Sequence, residues 1–239
     1  MAKQGYAIRA EPPAWLRGPA SVVDGWIVLD RQRAHEYHPY GASNLAFDLA
    51  AVSTPQDAIA FVTRYGLLRH GPQANEWREP YSEWQQESSQ LRAVFMLKSA
   101  LDRALEGAPE ELQRLAPVIR PLWQGAPEND KELTEQAAKT IAMIVSEGLR
   151  GVEHRLIAMF EWGAGNAPNE FATGIHPTDL VGYAYHHVAQ LLNKKVVWLA
   201  CPECGQYFVP TDGRQRYCSP TCAGRARYRR WAEKQKATA

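Results

Sequence analysis

The sequence predicts a mainly α-helical protein. It has a helical N-terminal domain over residues 1–195, which carries a small β element, and a C-terminal treble-clef-like zinc module with four cysteine ligands over residues 196–239. Apolar residues recur at helical spacing through most of residues 44–193. All four cysteines lie within residues 201–222, and a β-rich run enters the first cysteine pair. Hydrophobic residues make up 45% of the 239 and charged residues 22%, which is typical of a globular protein with a sizeable core.

The small β element is predicted near the N-terminus. Residues 21–30 are rich in Val, Ile and Trp and are bounded by turn formers, which favours a strand. Residues 44–53 fit either a strand or a short helix. Between them lies a polar loop with His35 and His38, which we interpret as surface residues because no further metal ligands lie nearby in the sequence.

Local signals predict where the next helices begin and end. Ser53 and Thr54 precede Pro55, a pattern typical of an N-cap followed by a first helical turn, and Gly66 fits the end of that helix. Residues 81–106 are predicted to form one long helix. Its apolar face comprises Leu91, Val94, Phe95, Leu97 or Lys98, Leu101 and Leu105.

The later helices are separated by proline and glycine. Residues 107–130 contain several prolines and are predicted to be a connection with one short helix. Residues 130–161 are predicted to be helical, with an interruption around Gly148 and Gly151. A last helix of this domain is predicted to start after Thr178 or its neighbour and to end near Asn193. Its adjacent histidines, at 186 and 187, point about 100° apart and are therefore predicted to be core or surface residues.

The four cysteines predict a structural metal site. Cys201 and Cys204 are separated by two residues, and Cys218 and Cys222 by three. Four thiolates complete the tetrahedral coordination of Zn²⁺ and leave no position open for catalysis. The alternatives are a redox pair formed by Cys201 and Cys204, which leaves the other two cysteines without a role, and disulfides, which are rare in the cytoplasm.

The residues around the cysteines predict how each pair is presented. Gly205 directly follows Cys204 and permits a tight turn there. Ser219 is a suitable N-cap and Pro220 a suitable first helical residue, so Cys222 is expected in the first turn of a C-terminal helix. In that position the helix dipole favours a thiolate.

Basic residues are concentrated in the same C-terminal region. Residues 201–239 hold eight Lys or Arg against three acids, a net charge of +5, and the rest of the chain carries −4. Arginine binds phosphates and guanine edges with its planar fork, so nucleic-acid contact and a solvated tail are the two interpretations. The candidate contacts are Arg214, Arg216, Arg225, Arg227, Arg229 and Arg230. Tyr228 and Trp231 are expected to pack on the module, with base stacking as the alternative.

Residues 180–230 resemble the C-terminal end of bacterial CGNR-type zinc-finger proteins. The matching features are the first cysteine pair followed by Phe208, the Tyr-Cys-Ser element at 217–219, and then Cys222 and Arg225. The sequence departs from the family signature because it reads Cys-Ala-Gly-Arg at 222–225 in place of Cys-Gly-Asn-Arg. The resemblance implies a DNA-binding transcriptional regulator and covers about the last 50 residues.

Several functions are not predicted. No glycine-rich phosphate loop, nucleophile elbow or zinc-hydrolase helix is present, so we predict no enzyme. No stretch approaches the roughly 20 apolar residues of a membrane helix, and the start lacks the apolar core of a signal peptide, so we expect a cytoplasmic protein with no membrane partner. DNA is the expected partner, with RNA as a variant. A homodimer and a small-molecule effector of the helical domain stay open, and the alternative function is a structural or protein-interaction cap.

Overall fold

The computed structural model describes residues 14–39, 42, 44–69, 76–119, 127, 129–159 and 170–238. Its helices are α1 (Leu45–Ala51), α2 (Pro55–Tyr65), α3 (Tyr81–Leu105), α4 (Glu110–Ile119), α5 (Asp130–Gly148), α6 (Leu180–Asn193) and α7 (Pro220–Thr238). Its strands are β1 (Trp15–Arg17), β2 (Ala20–Val23), β3 (Trp26–Leu29), β4 (His35–Tyr37), β5 (Arg78–Pro80), β6 (Val152–Met159), β7 (Glu170–Pro177), β8 (Leu199–Ala200) and β9 (Tyr207–Phe208). The prediction of a mostly helical fold with small sheets is confirmed.

The N-terminal β element is a hairpin and not the single strand predicted over residues 21–30. Strands β2 and β3 pair antiparallel, with Val23 opposite Trp26. The two turn residues between them, Asp24 and Gly25, have φ of 49° and 81°. Positive φ at both central residues is the geometry that Asp-Gly favours in a two-residue hairpin turn. Strand β5 extends this sheet along β3, and β1 pairs with β4 in a second small sheet.

Helix α2 begins and ends at the residues that the sequence predicts, and α1 precedes it. Residues 45–51 are helical, which decides between the two predicted states of that segment. Thr54 caps α2 as predicted: it accepts a hydrogen bond from the amide of Asp57, whose side chain accepts from the amide of Thr54 in return. Gly66 ends the helix at φ 95°, and a side chain there would collide with the carbonyl of Leu16.

Helix α3 is the centre of the hydrophobic core. The predicted apolar face is buried except at its end, where Leu105 is 71% exposed because it lies beyond the core. The aromatic ring of Phe95 stacks on Phe47 of α1, with 4.8 Å between their centroids. The short helix predicted in the proline-rich connection is α4, which lies against α3 and α5.

Residues 130–161 are not helical throughout, and the prediction is wrong for the second part of that range. Helix α5 ends at Gly148, a short 3-10 turn follows, and residues 152–159 form β6, which pairs antiparallel with β7. The ring of Tyr185 lies so close to Gly148 that any side chain at that position would overlap it. The predicted interruption is therefore a packing contact, and the chain continues as a strand because β7 supplies a partner.

A buried polar cluster holds α3 and α6 together. Glu79 is fully buried and accepts hydrogen bonds from the amides of Leu68 and Arg69, at 2.9 and 2.6 Å. The guanidinium of Arg69 pairs with Glu87, and the Tyr185 hydroxyl donates to Gln90 at 3.1 Å. These partners satisfy buried charges that would otherwise be costly, so the cluster has a structural role.

Four histidines that we predicted to be surface or core residues are placed by the structure. His35 is an exposed residue of β4 that accepts a hydrogen bond from Arg17, and His38 is exposed beyond the strand. His186 lies within hydrogen-bond distance of Gln190, and His187 is half-buried beside Phe47. In the part of the chain that the structure describes, no helix combines the length and the apolar character needed to cross a bilayer.

Candidate metal centre

The first cysteine pair lies in a tight knuckle between β8 and β9. The amide of Cys201 donates to the carbonyl of Gln206 at 2.9 Å, and the amide of Gly205 donates to the carbonyl of Cys201 at 2.7 Å. Gly205 has φ 74°, a conformation that glycine adopts without strain. The knuckle therefore turns both sulfurs to one side, and the predicted role of this glycine is confirmed.

The second cysteine pair lies at the start of α7. Pro220 is the first helical residue, and the hydroxyl oxygen of Ser219 accepts a hydrogen bond from the amide of Cys222 at 3.3 Å. This is the predicted cap, and it places Cys222 in the first turn, where free amides favour a thiolate. Cys218 precedes the cap, so the two thiols of this pair lie on either side of the helix start.

The four thiols form one cluster. All four sulfur atoms lie within 4.8 Å of one another. The Sγ of Cys218 is 3.5 Å from that of Cys204 and 3.6 Å from that of Cys222. A tetrahedral ion with bonds of about 2.3 Å to sulfur requires sulfur atoms about 3.8 Å apart. The cluster is thus of the right size to hold one metal ion.

The thiols differ in their surroundings. Cys201 and Cys222 are buried, whereas Cys204 is exposed. Burial and the neighbouring thiols raise the pKa of Cys218. Burial also acts to raise the pKa of Cys201, but hydrogen bonds from the backbone at Cys218 and Cys204 outweigh it and lower that pKa. Since only thiolates bind a metal, cation binding releases protons and the affinity rises with pH.

The cysteine module contacts the helical body through Trp198, whose role the sequence did not reveal. Trp198 is 4% exposed and belongs to the main hydrophobic core. The ring of Trp198 lies edge-on to that of Phe95, with 5.2 Å between the centroids, and the ring of Tyr207 also contacts Phe95, at 5.4 Å. The side-chain Nε2 of Gln206 donates a hydrogen bond to the carboxylate of Asp48 at 2.7 Å. The boundary at residue 195 stays a prediction, and these contacts cross it.

A groove lies between the knuckle and the body. It has a volume of about 350 Å³ and is lined by Cys204 and Gln206 on one side and by α1 and α3 on the other. On the α3 side, Arg92 donates to the carbonyls of Ala50 and Val52 at the end of α1, at 3.0 to 3.1 Å. The groove therefore follows from how the knuckle docks, and its arginine already has backbone partners.

One face of α7 attaches the helix to the module. Cys222 and Ala226 are each 6% exposed. Two turns after Cys222, the guanidinium of Arg229 pairs with Glu203 of the knuckle. Cys222, Ala226 and Arg229 are four and three residues apart and therefore share one side of the helix, which is the side that contacts the knuckle. Glu203 was missed, although the seven-residue spacing from Cys222 to Arg229 was the available signal.

The other candidate arginines are exposed. Arg225, Arg227 and Arg230 lie on the flanks of α7, and no carboxylate that the structure describes pairs with them. Arg214 and Arg216 are exposed in the loop between the cysteine pairs. The side chain of Gln215 holds this loop through hydrogen bonds with Thr211 and Tyr217. The structure therefore places five of the six arginines in solvent without an acidic partner among the described residues.

Tyr228 and Trp231 do not pack on the module, contrary to the expectation. They are 69% and 56% exposed, and their rings lie side by side with centroids 5.8 Å apart and planes 35° apart. The reason is that Tyr228 and Trp231 lie on the side of α7 opposite Cys222 and Ala226, which pack on the module, so no described part of the module faces these rings. Gly224, one turn earlier, has nothing within 4 Å of the position its side chain would occupy.

Compared with known proteins, the chain matches no family model, and no curated protein or solved structure is significantly similar to it. Function therefore rests on the chemistry of the cysteine cluster and of the basic helix that begins there.

Proposed function

We propose that the chain is a zinc-dependent nucleic-acid-binding protein that acts as a transcriptional regulator and contacts DNA through α7 and the loop before it. The observation that carries this proposal is the exposure of five arginines, three on a helix that begins in the cysteine cluster and two in the loop before it, without acidic partners among the described residues. A helix with this charge attracts phosphates and tracks a nucleic-acid backbone.

Zinc is the metal that suits the cluster best. Four thiolates in two close pairs are the usual ligands of structural Zn²⁺, which has no open coordination position and supports folding. The order of β8, the knuckle, β9 and α7 supports the proposal of a treble-clef-like finger. The zinc then orders the first turn of α7, and the helix presents its arginines.

The arginines supply different contacts. Arg225 lies on one flank of α7, and Arg227 and Arg230 lie on the other, so a backbone that follows the helix meets cations on both sides. Arg214 and Arg216 add positive charge from the loop. Arg229 is committed to Glu203 and contributes less. The resemblance to CGNR-type proteins supports a regulatory role for this arrangement.

The test is a salt series of DNA binding by the zinc-loaded chain. We expect affinity to fall steeply with salt, because each phosphate contact releases counterions. Arg225→Ala and Arg230→Ala should each reduce the slope of log K against log salt by about 0.9. Arg229→Ala is the matched control and should reduce it less. Affinity that ignores both salt and these arginines would refute the proposal.

A second candidate function is a structural or protein-interaction cap. The docking of Trp198 and Tyr207 on the helical body favours it, because these contacts give the module a stabilising role without any ligand. In that case the arginines meet an acidic protein surface. A protein partner retained by the full chain after nuclease treatment, together with no mobility shift on DNA or RNA, would support this function over the first.

A further inference from the structure

We propose that Tyr228 and Trp231 form a platform on which unpaired nucleobases stack, so that the protein binds single-stranded nucleic acid more tightly than duplex. The inference rests on the proposed nucleic-acid-binding function and names the form of nucleic acid that α7 recognises.

The rings of Tyr228 and Trp231 are exposed and in contact with each other. Both are more than half exposed, and they already contact each other, with planes 35° apart. Contiguous exposed apolar groups with polar residues around them are typical of interaction sites, and the two rings form such a pair. Because Gly224 leaves open space one turn away, nothing in the described structure blocks a flat ligand from approaching the pair.

Basic residues lie on both flanks of these rings along α7. On a helix, Gly224, Tyr228, Trp231 and Gln235 form one ridge at alternating spacings of four and three residues. One flank of this ridge carries Arg227, Arg230 and Lys234. The other flank carries Arg225 and Lys236, whereas Arg229 lies further round on the attached face and is paired with Glu203. An aromatic ridge between two cationic rows is complementary to a polyanion that also offers flat apolar faces, and a nucleic-acid strand has this chemistry.

The chemistry of the two rings favours single-stranded nucleic acid over duplex. In a duplex, neighbouring base pairs cover the faces of each base, and a helix in the major groove reads only the edges. Tyr228 and Trp231 each offer a single polar hydrogen to such an edge. Unpaired bases expose their faces and stack on aromatic side chains, which is how proteins recognise single strands.

A second copy of the chain is a poorer occupant of this ridge. Two α7 helices packed along the aromatic ridge would bring the cationic flanks of one copy against those of the other. Glu233 is the only acid in α7, so it cannot offset them. Charged flanking residues decide which helices pair, and like charges there oppose pairing.

The experiment measures binding of the zinc-loaded full chain to a fluorescein-labelled 12-nucleotide single-stranded DNA, to RNA of the same sequence and to the matching DNA duplex. We expect single strands to bind at least tenfold more tightly than duplex at equal salt. Trp231→Ala should weaken single-strand binding about tenfold and change duplex binding less than twofold, and Trp231→Phe should retain most of the affinity. The DNA and RNA arms decide which polymer is preferred.

Each outcome has one meaning. Equal affinity for duplex and single strands, with arginine dependence but no effect of Trp231→Ala, overturns the platform and leaves the proposed function intact. No salt-dependent binding to any of the three probes overturns the proposed function itself. A Trp231-dependent dimer in light scattering, with no loss of nucleic-acid affinity on Trp231→Ala, assigns the ridge to self-association. Because Trp231 is exposed, we expect Trp231→Ala to fold normally. Unchanged circular dichroism and zinc content of the variant check this.

Discussion

The indole of Trp198 lies edge-on against the ring of Phe95, and its Nε1 donates a hydrogen bond to the backbone carbonyl of Phe95 at 3.3 Å. Trp198 stands three residues before the first cysteine, and Phe95 is in the middle of α3. The segment that leads into the cysteine cluster is therefore part of the main hydrophobic core. This relationship links the stability of the helical body to that of the cysteine module.

Trp198→Ala should destabilise the whole chain. Removal of a buried tryptophan costs about 3–5 kcal/mol through lost burial and a cavity. Trp231→Ala is the matched control, because that tryptophan is exposed, and it should change stability by less than about 0.5 kcal/mol. Urea unfolding of both variants measures the two effects. Equal stabilities of the two variants would contradict the docking of Trp198.

Removal of the metal should unfold α7 from its start. Since Cys222 lies in the first turn and its ligand bond would fix that turn, chelation is expected to lower helical circular dichroism and the melting temperature together. Cys222→Ser should reduce the metal content below one ion per chain, as measured by elemental analysis. Tyr217→Phe, which keeps every thiol, serves as the control. Unchanged helicity and melting after chelation would refute a structural metal.

Asp57 should make the cap of α2 dependent on pH. Burial acts to raise the pKa of Asp57, but hydrogen bonds from Thr54 and Ser53 outweigh it and hold the pKa below its ordinary value. The stabilisation is therefore complete above the unfolded pKa of about 3.9 and is lost as pH falls through the lower folded value. Asp57→Asn should cost about 0.5–1 kcal/mol at neutral pH and progressively less below about pH 4. A pH-independent difference in urea unfolding would contradict this assignment.

Two helical glycines should respond oppositely to the same substitution. Gly148→Ala places a methyl group within 2.2 Å of the Tyr185 ring, so we expect strong destabilisation, of several kcal/mol, by overpacking. Gly224→Ala meets open space and should stabilise α7 by roughly 0.5–1 kcal/mol. Thermal unfolding of the two variants distinguishes them. A stable Gly148→Ala variant would show that Tyr185 moves aside readily.

Local signals predicted the parts of the fold that short segments determine by themselves. Thr54 and Pro55 located the start of α2, and Ser219 and Pro220 located the start of α7, because caps act within a few residues. The cysteine cluster was predictable for the same reason, since ligand spacing is itself a short-range property. The turn at Asp24 and Gly25 was also local, but the surrounding β-forming residues hid it within one predicted strand.

The remaining errors concern partners that are distant in the sequence. Residues 152–159 form a strand because β7 pairs with them, and periodicity within one segment does not reveal this. Tyr228 and Trp231 have the helical spacing of core residues, yet whether they are buried depends on a facing surface that only the tertiary structure supplies. Trp198 enters the main core for a similar reason, since its partner Phe95 lies about a hundred residues earlier.

The pairing of Arg229 with Glu203 restrains the rotation of α7 about its own axis. Cys222 attaches the helix at its first turn, and Arg229 attaches it two turns later to the same knuckle. These two contacts with the same knuckle restrain the direction of the helix, which is about 28 Å long for 19 residues, and its rotation about its own axis, and the exposed ion pair contributes only a modest part of that restraint. In the nucleic-acid complex proposed above, the exposed cations and rings of α7 would already be oriented, and binding would cost less entropy than it would for a free tail.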